Sequence, residues 1–109
     1  MKSVSFKMPD YLCEEITLLA QTAHRQEEEE LALRLEDSLL AHPIMNIDIR
    51  ELEKLKLLLL SDDFSKQQNL HVSANLHQRL ESASHQAGQS MPLDLVCRIQ
   101  QSVRERIAY

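Results

Sequence analysis

The chain repeats its own apolar pattern after 64 residues, so that Phe6 falls on Leu70. In a chain that is 43% hydrophobic, chance matches are common, but one unbroken offset through three successive segments predicts two copies of one folding unit. Arg34 falls on Arg98 within the same alignment. The matched apolar positions are Phe6, Met8, Leu12, Ile16, Leu19, Ala23, Leu31, Leu35 and Leu39 in the first copy, and Leu70, Val72, Leu76, Leu80, Ala83, Ala87, Leu95, Ile99 and Val103 in the second.

Each copy predicts a strand followed by two helices. Residues 3–8 and 67–72 alternate apolar and polar side chains, which is the period of a strand. Apolar residues then recur at helical spacing over residues 12–23 and 76–87. The second helices of the two copies are predicted over residues 27–41 and 91–107.

The boundaries of the first helices carry matching signals. Pro9 and Ser73 stand at equivalent helix starts, where proline fits a first turn and serine is a good N-cap. Gly88 follows the helix of the second copy and can adopt the left-handed conformation that ends a helix. His24 stands at the equivalent position of the first copy, so we expect a less ideal turn there.

Composition and length favour one small, mainly helical domain. The 109 residues include a single glycine, and only 4% are aromatic. No apolar run approaches the roughly 20 residues of a membrane span, and the first residues do not resemble a signal peptide. We therefore expect a cytoplasmic protein without a membrane partner. Cys13 and Cys97 lack metal or redox spacing and are interpreted as reduced thiols.

Charge is distributed unevenly along the chain. The net charge of −5 argues mildly against a nucleic-acid partner. Residues 1–40 carry four Lys or Arg against nine Asp or Glu, whereas residues 67–109 carry four against three. Most of the acidity is the run EEEE at residues 27–30. Such a run is usually a solvated face.

Two stretches resemble the ribbon-helix-helix family of DNA-binding proteins, the Arc and MetJ type. LHVSANLHQRLESASHQAGQS looks like the strand-to-turn motif of that family, and FKMPDYLCEEITLLAQTAHRQ is a weaker copy. In the family, the strand pairs antiparallel with the same strand of a second subunit, and helices of both subunits interlock. The resemblance implies a mainly α tandem ribbon-helix-helix pseudo-dimer within one chain. Its parts would be repeats at 1–41 and 67–109, forming one compact domain, and a helical linker at 42–66.

The inferred ribbon has an apolar and a polar face. Gln68 matches Val4, so one core position has become polar, and we expect that strand end to fray or slip. In the family the polar face enters the major groove, where Gln and Asn can read adenine and Lys can read guanine. The alternative is that the face is polar only because it is exposed. The inward residues are Val4, Phe6, Met8, Leu70 and Val72, and the candidate base contacts are Ser3, Ser5, Lys7, Gln67, Asn69 and His71.

The resemblance also implies phosphate contacts at the start of the second helix, where main-chain N–H groups and the helix dipole favour anions. In the second copy these residues are Gln89, Ser90 and Met91. In the first copy Gln26 is followed by the EEEE run, which would repel a phosphate. This departure from the family pattern leaves two alternatives. Either one half binds DNA weakly, or the first copy binds another partner.

The expected function is sequence-specific binding of double-stranded DNA by a transcriptional regulator, a repressor or an antitoxin-like protein. The alternative is a protein-interaction module that keeps the fold without DNA binding. A protein partner such as a toxin could bind through Leu52, Leu55 and Leu59 or through Glu27–Glu30, although the leucine stripe could instead pack on the core as the linker crosses. His77 and His85 lie eight residues apart on the first helix of the second copy and are not interpreted as a metal site. We expect no enzyme activity, metal or cofactor.

Overall fold

The protein is mainly helical and contains one two-stranded antiparallel sheet, which confirms the predicted class. The computed structural model describes residues 1–61 and 63–105. The predicted extension of the last helix to residue 107 lies partly outside the described residues. The elements are β1 (Lys2–Pro9), α1 (Asp10–Thr22), α2 (Glu27–Ala41), α3 (Ile49–Leu59), β2 (Ser65–Val72), α4 (Ala74–Gln86) and α5 (Met91–Arg104).

The two strands pair with each other within the chain, as predicted. Ser5 lies opposite Asn69, the residue that the 64-residue offset makes its equivalent. The expectation that the strand frays at Gln68 is wrong, because the ladder continues through this residue to the pair of Pro9 and Ser65. Gln68 is half-buried and its Nε2 lies 3.6 Å from the Sγ of Cys13, which gives the polar side chain a partner.

The inner face of the ribbon forms the centre of the core. All five predicted inward residues are buried, and Phe6 and Leu70 are only 2% and 0% exposed. Strand alternation therefore sets the facing of both strands correctly. Buried side chains from every helix join them in one hydrophobic cluster. These include Leu12, Ile16, Leu31, Leu35, Leu55, Leu76, Leu80, Leu95 and Ile99.

The turns that end α1 and α4 have the same backbone path. Gly88 adopts a φ of 70°, as predicted, and His24 adopts a φ of 56° at the equivalent position. A residue with a Cβ is strained in this region, so the first turn keeps the path at some cost. Two hydrogen bonds are equivalent in the two turns. The first is His24 N–H to Gln21 O (3.1 Å), matched by Gly88 N–H to His85 O (3.1 Å), and the second is Arg25 N–H to Ala20 O (2.9 Å), matched by Gln89 N–H to Ser84 O (3.0 Å).

A buried polar cluster lies between α2 and α5. Arg34 and Arg98 are 1% and 0% exposed, and each guanidinium binds a carboxylate one turn earlier in its own helix and a serine hydroxyl of the other helix. Buried charges need such partners. The bonds are Arg34 Nε to Glu30 Oε1 (3.1 Å), Arg34 Nη1 to Ser102 Oγ (3.1 Å), Arg98 Nε to Asp94 Oδ2 (2.9 Å) and Arg98 Nη1 to Ser38 Oγ (3.0 Å).

Helix α3 crosses from one strand-helix-helix unit to the other along the core. It begins after Asp48, whose carboxylate accepts a hydrogen bond from the N–H of Arg50 at 2.9 Å. Leu55 is buried, and Leu52 and Leu59 are half-buried and pack against the core. This arrangement agrees with the crossing interpretation. The hypothesis of a partner surface on this stripe is corrected for Leu55, which belongs to the interior, and stays a prediction for the two half-buried leucines.

No helix among the described residues has the length and apolar character needed to cross a bilayer.

Candidate nucleic-acid interface

The outer face of the ribbon brings all six candidate base-contacting residues together. Five of the six side chains are exposed, and Lys7 is half-buried. Because the opposite face is buried in the core, these side chains project from a backbone that packing holds in place. Across the ladder, the pairs are Ser3 with His71, Ser5 with Asn69, and Lys7 with Gln67.

The centre of this face is ordered by a bond between the strands. The hydroxyl of Ser5 donates to Oδ1 of Asn69 at 2.7 Å. This oxygen keeps a second lone pair, and the amide nitrogen of Asn69 remains a donor. Asn69 can therefore present both groups that a bidentate contact with adenine requires.

His71 also binds the start of α2, a contact that the sequence analysis missed. Oε1 of Glu28 accepts a hydrogen bond from the N–H of His71 at 2.9 Å and lies 3.1 Å from the ring Nδ1. The backbone hydrogen bond from His71, followed by the bond from its ring, holds the pKa of Glu28 below its usual value. The only signal in the sequence for this region was the EEEE run, which was expected to repel a phosphate and did not indicate a contact with the ribbon.

The four glutamates of the acidic run have different surroundings. Glu30 is buried, and its carboxylate pairs with Arg25 at 2.6 Å and with Arg34. Glu27 is exposed and accepts a hydrogen bond from the hydroxyl of Thr17 at 2.7 Å. Glu28 and Glu29 are also exposed. The hypothesis of a partner surface over Glu27–Glu30 is therefore corrected for Glu30, which belongs to the interior.

The start of α5 has no exposed carboxylate. The N–H of Gln89 is bonded to Ser84 O, so it is already used, and this part of the predicted phosphate site is corrected. Ser90 is the exposed N-cap of α5 and its hydroxyl makes no capping bond. Among the described residues, no hydrogen bond uses the N–H groups of Ser90 and Met91.

The first acidic residue of α5 adds no negative charge to the surface at the start of this helix. Asp94 is fully buried and its carboxylate is paired with Arg98 at 2.9 Å. The two equivalent helix starts therefore differ in charge at the surface. Three exposed glutamates lie at the start of α2, whereas the start of α5 offers main-chain N–H groups and the positive end of a helix dipole.

Metal-ligating and thiol side chains are present among the described residues, and both cysteines are free. Within residues 1–61 and 63–105, no group of three or more His, Cys, Asp and Glu side chains could hold a metal ion. Burial, followed by the charge of Asp94, raises the pKa of Cys97 to about 12. Burial also raises the pKa of Cys13. A raised pKa favours the protonated thiol over the thiolate.

Comparison of the chain with protein families, with characterised proteins and with solved structures finds no match. The outer face of the ribbon and the two helix starts are therefore the features of the chain that bear on its function.

Proposed function

We propose that this protein is a single-chain tandem ribbon-helix-helix domain that binds double-stranded DNA sequence-specifically and regulates transcription. The observation that carries the proposal is the outer face of the ribbon. Six polar side chains project together from a ribbon whose other face is buried in the core. An exposed strand face needs to be polar, but it does not need amide, imidazole and ammonium groups together on one face of the ribbon.

Equivalent positions of the two units support the tandem arrangement. The ladder sets Ser5 against its equivalent Asn69, which is where a twofold axis through a ribbon would pass. Arg34 and Arg98 make reciprocal bonds across the contact of α2 with α5. The two helix-ending turns use hydrogen bonds between residues that the same offset relates.

The ribbon has the dimensions and chemistry for direct readout. The major groove of B-DNA is about 12 Å wide and admits a two-stranded ribbon. Gln67 and Asn69 can bond adenine, Lys7 can donate to guanine, and the two serines can pair with several base edges. Ser90 and Met91 would hold the DNA backbone through N–H groups at the start of α5. Insertion of the ribbon would block a promoter, which is the action of a repressor or of the DNA-binding part of an antitoxin.

A salt titration tests whether DNA is bound at all. Fluorescence anisotropy with genomic fragments and with random duplex should show binding that weakens as salt increases, because phosphate contacts release counterions. Specific binding should exceed binding to random duplex. If no genomic fragment binds in a salt-sensitive manner, the DNA proposal is wrong and only the fold description remains.

Substitutions on the ribbon test how the DNA is read. On the selected genomic fragment, Asn69→Ala and Lys7→Ala should each reduce binding by about 1–3 kcal/mol, with a smaller loss on random duplex. Asn46→Ala and Lys54→Ala are matched controls, since both residues are exposed and lie outside the ribbon. Circular dichroism checks that each variant is folded. Equal losses in the control variants would contradict readout by the ribbon.

A protein-interaction module is the second candidate. The contact of Glu28 with His71 favours it, because this contact brings a carboxylate to the edge of the outer face of the ribbon. On this alternative, the ribbon substitutions leave an already weak affinity for DNA unchanged. Replacement of Glu27, Glu28 and Glu29 by glutamine would instead weaken a complex with a basic protein, which pull-down with wild-type and variant chains would measure.

A further inference from the structure

We propose that the DNA site is non-palindromic and is bound in one orientation, with guanine read by Lys7 and a base that offers an amino group, adenine or cytosine, read by His71. This inference depends on the proposed function and specifies its substrate. The 64-residue offset relates the residues of the outer face of the ribbon, here called the readout face, in three equivalent pairs. They are Ser3 and Gln67, Ser5 and Asn69, and Lys7 and His71.

Each equivalent pair differs in chemistry. A palindromic duplex presents identical base edges at positions related by its twofold axis. Lys7 and His71 would therefore meet the same base in the two half-sites. A lysine ammonium has three donors and no acceptor, so Lys7 selects an edge with acceptors, and guanine offers O6 and N7.

The contact with Glu28 gives His71 the opposite preference. A carboxylate only accepts hydrogen bonds, so the ring nitrogen that faces it, Nδ1 at 3.1 Å, carries the proton. In a neutral ring, the remaining nitrogen Nε2 is then an acceptor. An acceptor selects the amino groups of adenine or cytosine and is repelled by the acceptor edge of guanine. Glu28 thus acts as a positioning residue for His71.

The backbone contacts favour the same orientation. The unit of α5 offers the N–H groups of Ser90 and Met91 to a phosphate, whereas the unit of α2 presents Glu28, already bonded to the N–H of His71. The carboxylate would repel a phosphate at that end, most strongly at low salt. The DNA flank beside α5 is therefore held more tightly than the flank beside α2.

Selection from a random-core duplex library at pH 8 tests the inference. Wild-type protein should select a non-palindromic core. Replacing the selected adenine or cytosine read by His71 with guanine should weaken binding about tenfold. His71→Lys makes the two equivalent positions chemically alike, so its selected core should carry guanine at both. The position whose preference changes identifies the base that His71 reads.

Glu28→Gln tests the positioning role. The amide can still accept from the N–H of His71, but it can also donate to Nδ1, so the proton is no longer fixed there. The preference for adenine or cytosine should relax, while the guanine read by Lys7 stays selected. Glu29→Gln removes the same charge from a neighbouring exposed position and should leave both preferences unchanged.

The outcomes separate this inference from the proposed function. A palindromic core for the wild-type protein, or an unchanged preference in His71→Lys, would overturn the inference while DNA binding stands. Loss of the preference in Glu29→Gln as strongly as in Glu28→Gln would overturn the positioning role. If the library yields no enriched sequence and binding does not depend on salt, the proposed function itself fails, and the inference fails with it.

Discussion

The two strand-helix-helix units of the chain agree inside and differ outside. In both units most of the matched apolar positions are buried, the same turn follows the first helix, and an arginine binds a serine of the other unit. On the outer face of the ribbon, no equivalent pair is identical. Side chains in the core must fit each other, so packing constrains them strongly, whereas exposed positions are constrained only by solvent and by a partner.

The second helices show where this agreement ends. Arg34 and Arg98 have corresponding acidic and serine partners, but the residues before them differ in exposure and charge. The start of α2 has exposed glutamates, and the start of α5 has none. The difference teaches that one core can support two surfaces with opposite electrostatic character. The different helix starts also make the two ends of the molecule distinguishable, whereas the two ends of a symmetric dimer would be identical.

The largest expected effect tests whether both units share one core. Phe6→Ala should lower the free energy of unfolding by about 3–5 kcal/mol, because it removes a fully buried ring, and Leu70→Ala by about 2–5 kcal/mol. Since small domains are stable by about 5–15 kcal/mol, each variant should unfold at much lower urea concentration. Both should do so in a single transition seen by circular dichroism.

Phe64→Ala is the matched control for this experiment, because Phe64 is 60% exposed and should lose far less stability. Two separate transitions, with each substitution affecting only one, would show that the units fold independently. That result would contradict the description of the two units as parts of one shared core.

Replacing the two buried arginines should reduce stability by different amounts, although each binds a carboxylate of its own helix and a serine of the other. Arg98 also donates to two main-chain oxygens in the segment after α2. Arg98→Met leaves Asp94 buried without a cation, and Oδ1 of Asp94 already has no hydrogen-bond partner among the described residues, so we expect a loss of about 3–5 kcal/mol. Arg34→Met should cost less, since Glu30 keeps Arg25 at 2.6 Å. Urea unfolding of the two variants measures the difference.

Adding Asp94→Leu to Arg98→Met removes the uncompensated charge and should recover part of the stability. Equal losses for the two arginine variants would mean that Arg25 does not compensate Glu30. The two halves of the buried cluster would then be energetically alike.

Periodicity predicted the elements of the two copies and the inward position of Phe6 and Leu70, because these follow from short-range repetition. The pairing of the strands was implied by the resemblance to the ribbon-helix-helix family, since short-range repetition does not say which distant strand is the partner. Periodicity could not predict the burial of Glu30, since charge is stable inside only where the tertiary fold supplies Arg25 and Arg34. For the same reason the contact of Glu28 with β2 was missed. The offset did place Arg34 on Arg98, and a charged residue repeated within an apolar pattern is a usable signal for a buried pair.

The turns offer a smaller test of the same comparison. His24→Gly should raise the free energy of unfolding by about 1 kcal/mol, because the left-handed conformation strains a residue with a Cβ. Gly88→Ala should lower it by about 1 kcal/mol through conformation alone, since no atom lies within 4 Å of the added Cβ. Thermal unfolding measures both. A loss of stability in His24→Gly would mean that the imidazole contributes more than the strain costs.

The smallest expected effect concerns acid. The bonds from His71 lower the pKa of Glu28 below the ordinary 4.5, so the folded state favours the ionised carboxylate. The resulting stabilisation is complete above the ordinary pKa and is lost as the pH falls through the lowered value. Glu28 is exposed, so the loss should be slight, and Glu28→Gln should flatten the stability profile only below about pH 5. Glu29→Gln is the control, and chemical unfolding across pH 3–7 provides the measurement.

Because α5 has Pro92 at the position equivalent to Glu28, Pro92→Ala should leave the acid dependence unchanged. An acid loss that persists undiminished in Glu28→Gln would show that the contact with His71 does not stabilise the fold, and the difference between the two helix starts would then be one of surface charge alone.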